Sequence, residues 1–269
     1  MFVRAVFCAA ALLFSAPGAS SDRPLQPTGK WIVNFDDAQC VAERNYGTEE
    51  KPLYFVLKQP PLGNAMQFSV IEKKSASARP AELDGTIEFD GQSHKVRVLR
   101  FGPKKMKLRV LMMNFPLEQF SAVRTAGALR LRTQGFDETF ALSQLEPLLE
   151  VMNTCVADLR KIWNVDKPEG GEGVAREDAK GNLRRLFSAD DYPWQAVISG
   201  DGGTVEVALL VDETGKVADC SIARTSGVAV LDAQSCWVLR ERAKFTPAVG
   251  KDGKPAKDSF LQRISWRVN

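Results

Sequence analysis

Thr204-Val-Glu-Val-Ala-Leu-Leu-Val-Asp-Glu-Thr-Gly-Lys-Val217 decides how the last third of this 269-residue chain folds. Val205, Val207, Leu209 and Val211 recur at every second position, the period of a half-buried strand. Asp212-Glu-Thr-Gly215 supplies turn residues, with Gly215 free to take a positive φ, and Lys216 to Arg224 reads as the returning strand of a hairpin. Ser226-Gly227 breaks the strand. From Val228 to Ala243 the apolar residues Leu231, Cys236, Leu239 and Ala243 fall at helical spacing, and Phe245-Thr-Pro247 ends that helix, since a proline disfavours helical geometry in the residue before it. A polar loop rich in Gly and Lys follows. Phe260 to Val268 then closes as a strand, with Phe260, Ile264, Trp266 and Val268 on one face.

Upstream, β-prone runs at Trp31 to Asn34, Tyr54 to Leu57, Met66 to Ile71, Gly85 to Phe89, Lys95 to Leu99 and Lys107 to Met113 are separated by Gly, Pro and Asp. That spacing predicts a β-sandwich or barrel-like sheet. Ser143-Gln-Leu-Glu146 has the form of a capping box, and Leu148, Leu149, Met152, Cys155 and Leu159 behind it predict one helix packed on the sheet. The fold class is therefore α+β: a β-rich domain over 23–163 with one helix at its C-terminal end, a solvated Gly-, Glu- and Lys-containing linker over 164–185, and a small two-layer ββαβ domain over 186–269.

Met1-Phe-Val-Arg4, the apolar run Ala5 to Ala16 and the small residues Pro17-Gly-Ala-Ser20 have the form of a cleavable export signal over 1–20. The run is about twelve residues, short of the roughly twenty that cross a bilayer as a helix. Export implies an oxidising compartment, where the four cysteines beyond Cys8 can pair in three ways. Cys220 shares a strand face with Ile222, and Cys236 lies on the stripe of the helix that covers the sheet, so Cys220 with Cys236 is the favoured local pair. That leaves Cys40 with Cys155; free thiols and a metal site are the competing readings. A zinc site would ordinarily use CxxC or His-rich spacing, and neither occurs.

The chain carries one histidine, His94, and none of GxSxG, SxxK, HExxH, a Walker loop or GxGxxG. Gly170-Gly-Glu-Gly173 follows Pro168 and not a strand, and Asp36-Asp37 and Asp190-Asp191 are adjacent pairs suited to turns and caps. A non-enzymatic protein without cofactor or metal is expected. The net charge of +3 is small and no nucleic-acid signature accompanies it, so nucleic acid is not an expected partner. From Lys95 to Arg109 there are basic residues and no acid, and two strands there would present Lys95, Arg97, Lys107 and Arg109 together. Such a face could bind an acidic envelope ligand or simply be solvated.

The C-terminal pattern resembles the C-terminal domain of the TonB energy-transducer family. The residues that carry the likeness are Tyr192-Pro193, the Val-Asp-x-x-Gly-x-Val hairpin from Val211 to Val217, Ser226-Gly227, Leu231-Asp232, Arg242-Ala-x-Phe-x-Pro247 and Ile264-Ser-Trp-Arg-Val268. The resemblance implies a periplasmic partner-binding module whose final strand, Leu261 to Val268, accepts an extended peptide of a TonB-dependent outer-membrane transporter. Arg263, Ser265 and Arg267 would then point outward beside the peptide while Trp266 faces the core. Family members that transmit energy carry an N-terminal membrane helix and a long Pro-rich spacer; here an export signal and a globular domain take their place. An envelope structural or maintenance protein that uses the fold for protein contact or self-association is the alternative.

Overall fold

Period-two alternation builds most of the N-terminal region. The computed structural model describes residues 23–103, 106–166, 175–181, 183 and 185–268, so the expected export signal, Lys104, Lys105 and Gly170-Gly-Glu-Gly173 lie outside the described residues. The first strands are β1 (Ile32–Phe35), β2 (Cys40–Asn45), β3 (Leu53–Gln59) and β4 (Ala65–Glu72), followed by β5 (Ala81–Phe89), β6 (Gln92–Phe101) and β7 (Arg109–Pro116). A short helix α1 (Leu117–Phe120) leads to β8 (Ala128–Thr133) and β9 (Phe136–Ala141). All nine strands form one antiparallel sheet in the order β1-β2-β3-β4-β7-β6-β5-β8-β9, curved into a half-barrel and not split into a sandwich.

The hollow of the half-barrel is filled by the helix α2 (Leu145–Ile162). Phe55, Phe68, Leu111, Leu131 and Phe140 from the sheet pack with Leu145, Leu148 and Met152 in one core. The ring of Phe55 meets Phe68 edge-on at 4.6 Å and Phe140 at 5.1 Å. The expected capping box at the start of α2 does not form. Gln144, left-handed (φ 61°), stands at the N-cap position in place of Ser143, no side chain caps the helix, and Glu146 turns to Arg124 at 3.0 Å. Three strands, β2, β8 and β9, lack a clean apolar alternation. Their charged residues are consumed locally: Arg44 is buried and donates to the Gly29 carbonyl at 2.9 Å, and Arg130 pairs with Asp137 across the β8–β9 hairpin at 2.7 Å.

After α2 come β10 (Ala175–Glu177), β11 (Lys180–Gly181), the helix α3 (Trp194–Ser199), β12 (Gly203–Val211), β13 (Val217–Arg224) and the helix α4 (Ala229–Arg242). Three short strands, β14 (Phe245–Thr246), β15 (Ala248–Gly250) and β16 (Pro255–Ala256), stand where a plain polar loop was expected, and β17 (Asp258–Trp266) ends the fold. The three-stranded sheet runs β13-β12-β17. The later part of the expected linker is not solvated coil: β10 pairs with β15 and β11 with β14, which ties it to the C-terminal region. Cys40 is bonded to Cys155, joining β2 to α2 (S–S 1.95 Å), and Cys220 to Cys236, joining β13 to α4 (S–S 2.05 Å).

The two regions share their cores. Leu99, Phe101 and Met112, from the outward face of the large sheet, pack with Val207, Leu209, Ile222 and Leu231, while Leu210 packs with Trp163, Val156 and Leu159 at the end of α2. β12 is therefore buried on both faces, including Ala208 and Leu210, and not half-buried as its alternation predicts. Among the described residues no helix is long and apolar enough to cross a membrane.

Candidate functional site: the outer edge of the three-stranded sheet

The hairpin and helix positions that punctuate the C-terminal sequence hold one another in place. The Asp212 carboxylate accepts from the N–H groups of Thr214 and Lys216 at 2.8 and 3.0 Å, closing the turn, and these bonds hold it below the usual carboxylate range against the opposing cost of its partial burial. Gly215 follows with φ 79°, and a Cβ there would lie 2.0 Å from the Phe245 carbonyl. Phe245 N–H donates to the Gly215 carbonyl at 2.9 Å, so the turn glycine and the segment after α4 require each other. Asp232 is buried and accepts from the Thr225 hydroxyl and, at 2.9 Å, from the Ser226 N–H; burial pushes its carboxyl up. Asp191 caps the short turn after Ser188 and receives a two-toothed Arg242 fork at 2.8 and 2.7 Å, which holds its carboxyl below the ordinary value.

These contacts converge on β17. Phe260, Ile264 and Trp266 face the core, while Leu261, Arg263 and Ser265 alternate onto the exposed face. Trp266 is the anchor: its indole N–H donates to the Ser235 hydroxyl at 2.9 Å, and its ring meets Phe187 and Tyr192 edge-on at 5.5 and 5.2 Å. Ser235 in turn donates to the Leu231 carbonyl at 2.9 Å. Ser265 and Thr204 share a hydroxyl hydrogen bond of 3.0 Å, and Arg263 lies 3.6 Å from Glu206. Arg267 is exposed beyond the strand. Val268, expected on the core face, is 43% exposed, because pairing with β12 stops at Trp266 opposite Gly203.

Among the described residues β17 pairs with β12 alone, so its outer backbone groups lack a strand partner. Residues 188–268 match the family model for the Gram-negative bacterial TonB protein C-terminal. Curated proteins give no match to this chain. The TonB C-terminal match covers α3 through β17, the residues whose mutual contacts are described above, and leaves the half-barrel outside it.

Sequence reasoning missed the residues that seat the TonB-like region on the half-barrel. Asp219 is buried and accepts from Lys58 Nζ at 3.0 Å, from the Ser221 hydroxyl at 2.8 Å and from Arg240. Burial pushes the Lys58 ammonium down, and Asp219 offsets part of that. Glu82 of β5 accepts from the Val230 N–H at 3.1 Å in the first turn of α4, a cap that no neighbouring residue in sequence supplies. The Glu82 main chain also exchanges bonds of 3.0 and 3.1 Å with the Gln195 side chain. No local pattern announces such pairs, since the partners are over a hundred positions apart.

The expected basic face divides. Lys95 and Arg97 point outward from β6, but Arg109 is buried on the opposite face of the sheet, where it donates to the Gly135 carbonyl at 3.0 Å and pairs with Glu72. Lys107 is exposed in the segment before β7. His94 lies in β6 and stacks on Phe89 at 4.8 Å.

Proposed function

We propose that this chain is a non-enzymatic periplasmic protein whose β17 edge accepts an extended segment of an outer-membrane transporter, in energy-coupled transport across that membrane. The observation that carries this reading is the asymmetry of the three-stranded sheet: its β13 edge is packed against the half-barrel, and its β17 edge is open from Leu261 onward. An added strand satisfies the unpaired N–H and C=O groups, and alternate side chains supply selectivity. Arg263, Ser265 and Arg267 flank the peptide, and Trp266 holds the strand from beneath. The match of residues 188–268 to the TonB C-terminal family supports the partner class.

The test is binding of transporter plug peptides to the mature chain. Ser265→Pro abolishes binding in protein shown folded by circular dichroism, because proline removes a backbone donor and is tolerated in sheets only at edges or bulges. Arg267→Ala weakens binding modestly, since the ladder survives. Folded Ser265→Pro that binds as wild type does removes strand addition at β17. It would promote the second reading, an envelope structural or maintenance protein without energy transduction, which draws on the shared core between the two regions.

A further inference from the structure

Between α4 and the outward face of the half-barrel lies an open cleft of about 1490 Å³. Small-molecule pockets run to roughly 300–1,000 Å³, so a longer occupant suits this one. One wall is a stripe of α4, namely Ala229, Ala233, Cys236, Trp237 and Arg240, at helical spacing. Its first three side chains are small and leave room beside the helix. The facing wall is mixed: apolar Leu99 and Met112 border a polar band in which Lys58, Gln67 and Asn114 are register partners across β3, β4 and β7, and Arg97 and Lys95 extend it along β6.

The state of these polar groups selects the occupant. The Gln67 and Asn114 amides are half-buried and make no hydrogen bond to the protein among the described residues, and Lys95 has no ion-pair partner there. Arg97 pairs with Asp84 at 2.8 Å and with Glu82 at 3.4 Å, yet half of its side chain remains exposed. An acyl chain laid along this wall would leave the amides unsatisfied, whereas a peptide backbone offers both donors and acceptors. Trp194 and Trp237, 54% and 51% exposed, stand at the cleft and offer amphipathic anchors of the kind that dominate peptide recognition. The stripe from Ala229 to Arg240 is about 16 Å long at 1.5 Å per residue, the span of about five extended residues.

We infer that this cleft binds an extended acidic peptide segment of a partner protein, with its carboxylates at Lys95 and Arg97 and its main chain on Gln67 and Asn114. The site is separate from β17, which lies on the far side of β12 from β13. It also does not depend on strand addition.

The experiment uses the mature chain and labelled peptide libraries of about eight residues, long enough to overrun the stripe at both ends, with Glu alternating with Val or Tyr. A control library carries Gln in place of every Glu. The acidic library binds about tenfold more tightly at about 50 mM salt, and the difference shrinks towards about 500 mM as the charges are screened. Lys95→Glu lowers acidic-library affinity about tenfold by replacing attraction with repulsion, and Trp237→Ala lowers it about fivefold or more. Ser265→Pro leaves this binding unchanged, so failure here and failure at β17 are distinguishable. Equal affinity for the two libraries, an unaffected Lys95→Glu protein, or preference for an anionic oligosaccharide or a lysophosphatidylglycerol micelle over the acidic library would each overturn the inference.

Discussion

The two edges of the three-stranded sheet come from strands of the same kind and have opposite fates. β13 and β17 each pair with β12, yet Asp219 to Ala223 of β13 are all buried, while Leu261, Arg263 and Ser265 of β17 are exposed. On the β13 side the turn after β3 comes so close that a Cβ at Gly63 (φ 103°) would lie 2.8 Å from the Ala223 Cα. On the β17 side no further strand stands alongside among the described residues. An unpaired edge is an aggregation hazard that folded proteins ordinarily cover or charge. Covering one edge and leaving the other open with arginines at Arg263 and Arg267 is the arrangement expected where one edge serves stability and the other recognition.

The comparison breaks most severely if β17 loses its anchor. Trp266→Ala removes a buried indole and the hydrogen bond it donates to Ser235, and a loss of about 3–5 kcal/mol in urea unfolding is expected. A loss below about 1 kcal/mol would mean that β17 is held by its ladder alone. Next comes the closed edge: Asp219→Ala leaves the buried Lys58 ammonium without its carboxylate, at a cost of about 3 kcal/mol. The same change should raise the protease sensitivity of the segment between the two regions, measured by limited proteolysis, because it strikes their contact.

Smaller effects sharpen the contrast. Stability should fall in acid as the Asp191 carboxylate is protonated. Its folded pKa is depressed by the Arg242 fork, so its contribution is intact above the ordinary aspartate value of about 3.9 and is lost as pH drops through the lower folded value. Thermal melts of Asp191→Asn and wild type should therefore converge below that window, and a constant gap down to the lowest pH would sink the assignment. Smallest of all, Arg263→Ala on the open face should change stability by less than about 0.5 kcal/mol while altering peptide affinity at β17. Equal loss of stability and affinity would show that Arg263 belongs to the scaffold.

Much of the C-terminal region was legible because its instructions are local. Val-Asp-x-x-Gly fixes a turn through Asp212 and Gly215, the spacing from Leu231 to Ala243 fixes a helix, and strand and helix between them place Cys220 against Cys236. The half-barrel was legible in outline only: β-prone runs marked β1, β3, β4, β5, β6 and β7, but β2, β8 and β9 hide theirs behind Arg44, Arg130, Arg132 and Asp137, whose partners lie outside their own strands. The capping box at Ser143 failed for the same reason, since Arg124, from elsewhere in the chain, takes the Glu146 carboxylate.

The sequence by itself determined the β12–β13 hairpin, the helix α4 and the closing strand β17, the partition of β17 into core and exposed side chains as far as Trp266, and the likeness to a TonB C-terminal domain, all of which follow from the side-chain period and turn chemistry of short segments, but not α3 or the short strands β14 to β16. Only the tertiary structure decided that β12 is buried on both faces, that Glu82 caps α4, that Lys58 meets Asp219 and that Arg109 lies away from Lys95. Those outcomes depend on contacts between residues far apart in the chain, where the energy of burial and ion pairing is settled by which surfaces meet and not by what stands next in sequence.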